Sequence, residues 1–323
     1  GLKLELDLKV DALEADIKSL KKAARQNVGP EIIKRINQII ETGLIELKND
    51  YKIYWNKYPI AKLIPGSDYL NPQIDLIIDE MIENEEKSKL SYYLKRWIFK
   101  KIETELKSLI DLKNTKETNP ELRALAYHLY EKNGVVKRDE VSEFLKKLNQ
   151  EERKKLRKIG VKFGRYHIFL FKLFKPSSVS LRILLWKNYN KENLNISPPT
   201  FGLNFLEEKK IIDKNFMLLC GFEKFDKFYV RIDILERLFL MILNSKKDDK
   251  DTEIKLVPEM LNLLGCNKEN FTKLIQKMNY KTYEKENNLY FKYLPNKKTI
   301  KNKKNKNDFK NNPFGVLSQL NFK

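Results

Sequence analysis

Residues 257–294 read "VPEMLNLLGCNKENFTKLIQKMNYKTYEKENNLYFKYL" and change their apolar period once, from helical to alternating. The first part reads as a helix that a tight turn at Gly265 ends. Asn267 then stands where an N-cap belongs, because its side-chain oxygen can accept from an orphan N–H of the first helical turn. Behind it Phe271, Leu274, Ile275 and Met278 fall at i, i+3, i+4 and i+7, which is one face of a helix. After Met278 the pattern alternates, and Asn287-Asn288 supplies the centre of a β-hairpin. A chain that runs helix, turn, helix, hairpin in one stretch is α+β.

That order is winged-helix-like, and the spacing places such a unit over 210–295. Lys268, Lys273 and Lys277 lie on or beside its second helix, where a helix of this kind meets nucleic acid. Paired helices of this sort also serve as packing modules, and Glu269 dilutes the charge, so both uses stay open. Just upstream, "FYVRIDILERLFLMIL" (228–243) passes from strand into helix, with Asp233 and Glu236 at capping-box spacing and Leu235, Leu238, Phe239 and Ile242 facing inward.

Residues 1–190 read as a mainly helical bundle with a small β element near 44–66. Two helices are expected over 11–43: one capped by Asp11 with Glu14, and a second starting at Pro30 and stopped by Gly43. One long stripe joins Leu90, Leu94, Trp97, Ile98, Ile102, Leu106 and Ile110. A second joins Leu122, Leu125, Ala126 and Leu129, and a third Val141, Phe144, Leu145 and Leu148. Such stripes are the core faces of bundle helices. A further helix is expected to start at Pro176, and "LNISPPTFGLN" (194–204) reads as a break. Residues 296–323 comprise a basic linker, expected to be disordered, and a short apolar tail, "NPFGVLSQLNF".

The chain has 323 residues, enough for two or three units with their own cores, and an apolar share of 41% that argues against wholesale disorder. Its formal charge of +20 points to a polyanionic partner, since Lys and Arg that neutralise phosphates release condensed counterions. Cys220 and Cys266 stand in no C-x-x-C pattern, and with His128 and His167 they match no zinc module, so no metal ligands are assigned. Reduced structural cysteines and a cytoplasmic setting are expected. No apolar run reaches membrane-spanning length, and no membrane contact is expected. The start, "GLKLELDLKVDALEADIKSL", carries no initiator Met and begins inside a strand-like pattern, which suggests a piece of a longer chain.

"GVKFGRYHIFLFKLFKP" (160–176) interleaves Lys162, Arg165, His167, Lys172 and Lys175 with five aromatic residues. Cations can neutralise phosphates while aromatic faces stack on unpaired bases. We assign phosphate contacts to Lys162, Arg165, Lys172, Lys175 and Arg182, and base stacking to Tyr166 or His167. The competing reading makes the aromatics core, with only the basic side chains meeting solvent. Gly160 and Gly164 have the wrong spacing for a phosphate loop and read as turn glycines. The sequence contains no G-x-x-x-x-G-K-[ST], G-x-S-x-G or H-E-x-x-H. "LIIDEM" (76–81) has the Asp-Glu of a motor ATPase, Asp79 and Glu80, without the phosphate loop that reading needs. No catalytic residue is assigned, and the chain is expected to be inactive alone.

"LRKIGVKFGRYHIFLFKLFKPSSVSLRILLW" resembles the segment that follows the motor in bacterial superfamily II helicases related to the RNA helicase of the mitochondrial degradosome. "GLKLELDLKVDALEADIKSLKKAA", "ELRALAYHLYEKNGVV", "FMLLCGF", "VRIDILERL", "VPEMLNLLGC" and the closing "NPFGVLSQL" resemble that family in the same order, over nearly the whole chain. The family often has Pro where this chain has Phe171. The resemblance implies the C-terminal region of an ATP-dependent RNA or DNA helicase, holding single-stranded RNA or DNA beside upstream motor lobes. Those lobes would bring ATP and Mg; no cofactor is expected in this chain. Two other classes stay open: a free-standing nucleic-acid-binding regulator, and a scaffold whose linker and tail dock a nuclease or a ribosome.

Overall fold

A computed structural model describes residues 1–3, 14–78, 80, 82–116, 119–190, 197–208, 213–245 and 253–294. The expectations for the Asp11 cap, for Asp79 and for the 296–323 tail lie outside the described residues. Helix α1 (Glu14–Thr42) runs unbroken through Pro30, where two helices were expected. Pro30 gives up one backbone hydrogen bond at a cost of about 3 kcal/mol. Ile32, Ile36 and Ile39, all buried on the next turns, offset it at about 2 kcal/mol each. Gly43 ends the helix at φ +63°, its N–H donating to the Ile39 carbonyl at 3.0 Å.

Strands β1 (Ile45–Leu47), β2 (Lys52–Trp55), β3 (Tyr58–Ile64) and β4 (Gln73–Leu76) pair antiparallel in chain order. They extend the expected β element past its anticipated end. Helix α2 (Asn84–Glu105) buries Leu90, Leu94, Ile98 and Ile102. The long stripe breaks at Leu106, whose φ of −118° separates α2 from α3 (Lys107–Lys113). Helix α4 (Pro120–Glu131) is capped by Asn119, which accepts from the Glu121 and Leu122 N–H groups. It buries Leu122, Leu125, Ala126 and Leu129, as their spacing requires.

The next sheet is one that helical periodicity hides. It takes β5 (Val135–Lys137) from before α5 (Ser142–Lys147) and α6 (Gln150–Ile159), then β6 (Val161–Phe163) and β7 (His167–Leu170) from after them, in the antiparallel order β5-β7-β6. Asn149 and Glu152 form a capping box on α6, and Gly160 closes it at φ +113°. A turn of 3-10 helix (Phe171–Phe174) leads into α7 (Pro176–Asn190), which begins at the expected proline. Then come β8 (Phe205–Glu207), α8 (Lys214–Leu219), β9 (Phe222–Phe225), β10 (Phe228–Arg231) and α9 (Ile232–Asn244), with sheet order β8-β10-β9. Last are β11 (Glu253–Lys255), α10 (Pro258–Leu264), α11 (Lys268–Lys277), β12 (Tyr280–Lys285) and β13 (Asn288–Tyr293), with β13 central. Glu286 and Asn287 make the β12–β13 turn, both at positive φ, which a two-residue hairpin of this twist demands.

The described residues are therefore mixed α+β, with four small antiparallel sheets rather than one β element in a helical bundle. Two compact units divide them: 1–243 with 262–265, and 244–261 with 266–323. The expected boundary near 190–210 is not where the division falls. Val179 and Ile183 of α7 share a core with Phe216, Met217, Leu219 and Tyr229, so α8 to β10 belong with what precedes them.

Candidate nucleic-acid interface

The β6–β7 hairpin turns through Gly164, Arg165 and Tyr166, and Glu236 of α9 holds that turn. Its carboxylate accepts the backbone N–H of Arg165 at 2.5 Å, of Tyr166 at 2.8 Å and of His167 at 2.8 Å. Gly164 leaves the room this carboxylate occupies, because a Cβ there would strike the Glu236 carboxyl group. Arg138 closes the other side, donating from Nη1 to the Gly164 carbonyl at 2.7 Å and from its backbone N–H to the Tyr166 carbonyl at 2.8 Å. The expected Asp233–Glu236 capping box is thus replaced. The Glu236 side chain reaches to the hairpin instead of to its own helix's N-terminus, and Asp233 accepts both Nε and Nη2 of Arg231, at 2.7 and 2.8 Å. Because the turn's N–H groups are spent on the protein's own carboxylate, a ligand at this hairpin meets side chains.

Beneath the turn lies a buried charge cluster. His167 Nε2 sits 3.1 Å from Glu223, whose other oxygen accepts Lys137 Nζ at 2.7 Å, and His167 Nδ1 lies 3.6 Å from Glu236. Burial works against charging the His167 ring, but the two glutamates beside it outweigh burial and raise its pKa above the ordinary value. Burial likewise opposes the Glu223 carboxylate, and His167 and Lys137 outweigh it, so its pKa is lowered.

Above the turn a cleft of about 520 Å³ opens between the hairpin and α9. Its cations are Arg138, Lys162, Arg165 and Arg237. Its apolar surface includes Phe171, 50% exposed, and Leu240, 57% exposed, beside Phe239. The Arg165 guanidinium stands over the Phe239 ring at 5.7 Å, and Tyr166 packs edge-on to the same ring at 5.7 Å. Asp233 and Glu236 also line the cleft, with their carboxylates committed to Arg231 and to the turn.

The structure brings some of the expected residues together and disperses others. Lys162 and Arg165 line the cleft. Tyr166 is half-buried against Phe239. Lys172 and Lys175 are exposed on the 3-10 turn and just after it, outside the cleft lining. His167 is corrected: 2% exposed and held between two glutamates, it has no face to offer a base. Arg182 is corrected as well. It is fully buried, donating from Nη1 to the Asn133 carbonyl at 3.0 Å and from Nη2 to the Leu219 carbonyl at 2.6 Å, and burial lowers its pKa to about 10. Lys268 pairs with Glu284 at 2.6 Å, while Lys273 and Lys277 are exposed on α11 in the other unit. Arg138, Arg237, Phe239 and Leu240 were missed as cleft residues. Their signal was faint: Leu240 and Leu243 lie off the inward stripe of α9 and leave that helix apolar beyond its core face.

Among the described residues no group of three or more His, Cys, Asp or Glu is placed to hold a metal ion. Burial pushes the thiol pKa of Cys220 up to about 12 and that of Cys266 up to about 11, so both are neutral at pH 7. Among the described residues no helix is long and apolar enough to cross a membrane. Comparison with protein-family models, with curated proteins and with solved structures finds no match to this chain.

Proposed function

We propose that this chain is the C-terminal accessory region of an ATP-dependent RNA or DNA helicase and that it grips single-stranded nucleic acid at the cleft above the β6–β7 hairpin. The observation that carries this reading is the pairing of cations and apolar side chains in one concavity: Lys162, Arg165, Arg138 and Arg237 around the exposed Phe171 and Leu240 and the half-buried Phe239. Cations placed so neutralise successive phosphates, and an exposed phenylalanine offers a face to any base, which suits sequence-tolerant single-strand contact. The Arg138 and Glu236 bonds fix the turn before a ligand arrives, so little ordering cost falls on binding. A net charge of +20 adds long-range attraction for the same partner. The helicase assignment itself rests on the family resemblance of 156–186 and of the segments in order around it. ATP and Mg belong to motor lobes outside this chain's motifs, and no chemical step is assigned to its residues.

The second unit we read as winged-helix-like, from the order β11, α10, α11, β12, β13. Lys273 and Lys277 are its phosphate-facing candidates, since Lys268 is held by Glu284. The test is binding of the whole chain to labelled single-stranded RNA across a salt series. Lys162→Ala/Arg165→Ala should weaken binding at low salt and flatten the slope of log Kd against log salt by about 1.4, at about 0.7 per lost phosphate contact. Equal affinity of variant and parent would sink the cleft assignment.

A further inference from the structure

Helix α2 carries a second surface of the same chemistry, on the side opposite its core stripe. Leu90, Leu94, Ile98 and Ile102 are buried, while Tyr92 is 64% exposed and Phe99 is 50% exposed. Those two rings stand seven residues apart, two helical turns, or about 10.5 Å along the axis. Arg96 lies between them, its guanidinium 5.9 Å from the Tyr92 ring centre. The run Lys95-Arg96-Trp97-Ile98-Phe99-Lys100-Lys101 holds four basic residues and no acidic one. Lys95, Arg96 and Lys100 make no ion pair among the described residues, unlike Lys89, which Glu85 and Glu86 hold at 2.9 Å each. These side chains border a groove of about 1330 Å³ that Ile40, Leu70, Pro72 and the edge of the core stripe at Ile98 and Ile102 also line, with Glu103 its one acidic side chain among the described residues, against the cations Lys89, Lys95, Arg96 and Lys100.

An ordinary solvated helix face has no need of exposed aromatic rings, and lone surface rings are unremarkable. Two rings on one face with unpaired cations between and beside them form a pattern that a bare electrostatic or a bare apolar partner would not require. Charge complementarity selects a polyanion, and the rings select one with unpaired bases. We infer that the outer face of α2 is a second single-strand contact, with bases stacking on Tyr92 and Phe99 and phosphates meeting Lys95, Arg96 and Lys100. This rests on the reading that the chain's partner is single-stranded nucleic acid, and it adds a site independent of the hairpin cleft.

The experiment uses the full chain and a fluorescein-labelled oligouridylate, read by anisotropy across a salt series. Tyr92→Ser/Phe99→Ser should weaken binding at least about tenfold while leaving the salt slope as in the parent, because stacking carries no counterion release. Arg96→Gln/Lys100→Gln should flatten the slope by about 1.4, two contacts at about 0.7 each. All four side chains are at the surface, and circular dichroism should superimpose on the parent. Photocrosslinking to a 4-thiouridine oligomer should label the peptide holding Tyr92 and Phe99. If the parent binds and the hairpin variant weakens it, but both α2 variants bind like the parent and the crosslink falls elsewhere, this inference is overturned and the cleft stands. If the parent binds no single strand even at low salt, the cleft reading and this one fall together.

Discussion

Glu236→Ala removes the one acceptor that the backbone N–H groups of Arg165, Tyr166 and His167 share. Each hydrogen bond to an ionised group is worth about 1.5–3 kcal/mol net. The three bonds are not additive, because they converge on one carboxylate and water can reach part of the opened turn. The whole loss is better set by the removal of one member of a buried ionic network, about 3–5 kcal/mol. With only 10% of its side chain exposed, Glu236 leaves solvent screening little to discount. Glu236→Gln keeps the shape and one acceptor oxygen but turns an N–H donor toward the turn, so about half that loss is expected. The assay is urea unfolding followed by tryptophan fluorescence. Trp55, Trp97 and Trp186, the chain's three tryptophans, all lie in the unit that contains Glu236, so the signal reports that unit. With a slope near 2–3 kcal/mol per molar urea, the midpoint should fall by about 1–2.5 M for Ala. An Ala variant that melts with the parent would refute the view that this carboxylate organises the hairpin.

Gly164→Ala should destabilise the same unit by about 1–3 kcal/mol, because its Cβ would strike a Glu236 carboxylate that cannot swing away without releasing the turn; unchanged urea midpoints would show that the carboxylate relocates freely. The buried His167–Glu223 pair should give the unit a stability maximum in mildly acid solution. The His167 contribution is complete below its ordinary pKa of 6.5 and is lost as pH rises through the raised folded value. The Glu223 contribution is complete above 4.5 and is lost as pH falls through its lowered folded value. Urea midpoints taken from pH 5.5 up to 8.5 should therefore fall in the parent and stay flatter in His167→Gln; parallel profiles would remove His167 as the titrating group.

Local elements were legible where neighbours in sequence decide them. Asn267 caps α11 through the Asn270 N–H, Gly265 takes a positive φ, and the Leu122–Leu129 stripe faces inward, all from interactions within one or two helical turns. The sheet order β5-β7-β6 was not legible, because two helices intervene between β5 and its partner and no local period records that pairing. Polar side chains failed for the same reason: Glu236 sits at capping-box spacing, yet its acceptors' partners lie about seventy positions away in the chain.

Arg182 and the outer face of α2 mark what a stricter reading of the same residues could have recovered. Val179, Leu181, Ile183, Leu184 and Leu185 surround Arg182 with apolar side chains on every side of α7, and a helix apolar all round is a buried one. A charge in such a helix must find partners inside the protein, so its burial follows from the pattern that made it look like a cationic contact. The converse applies to α2. Once Leu90, Leu94, Ile98 and Ile102 claim the inward stripe, helical spacing puts Tyr92 and Phe99 on the opposite side, where burial cannot account for them. Aromatic residues left over after the core stripe is assigned, with unpaired cations beside them, point to a ligand more directly than aromatics counted along a stretch. By that criterion the Tyr92–Lys100 face stands out from the sequence, whereas in 160–176 the buried Phe169 and His167 drop out and Lys162, Arg165 and Phe171 remain.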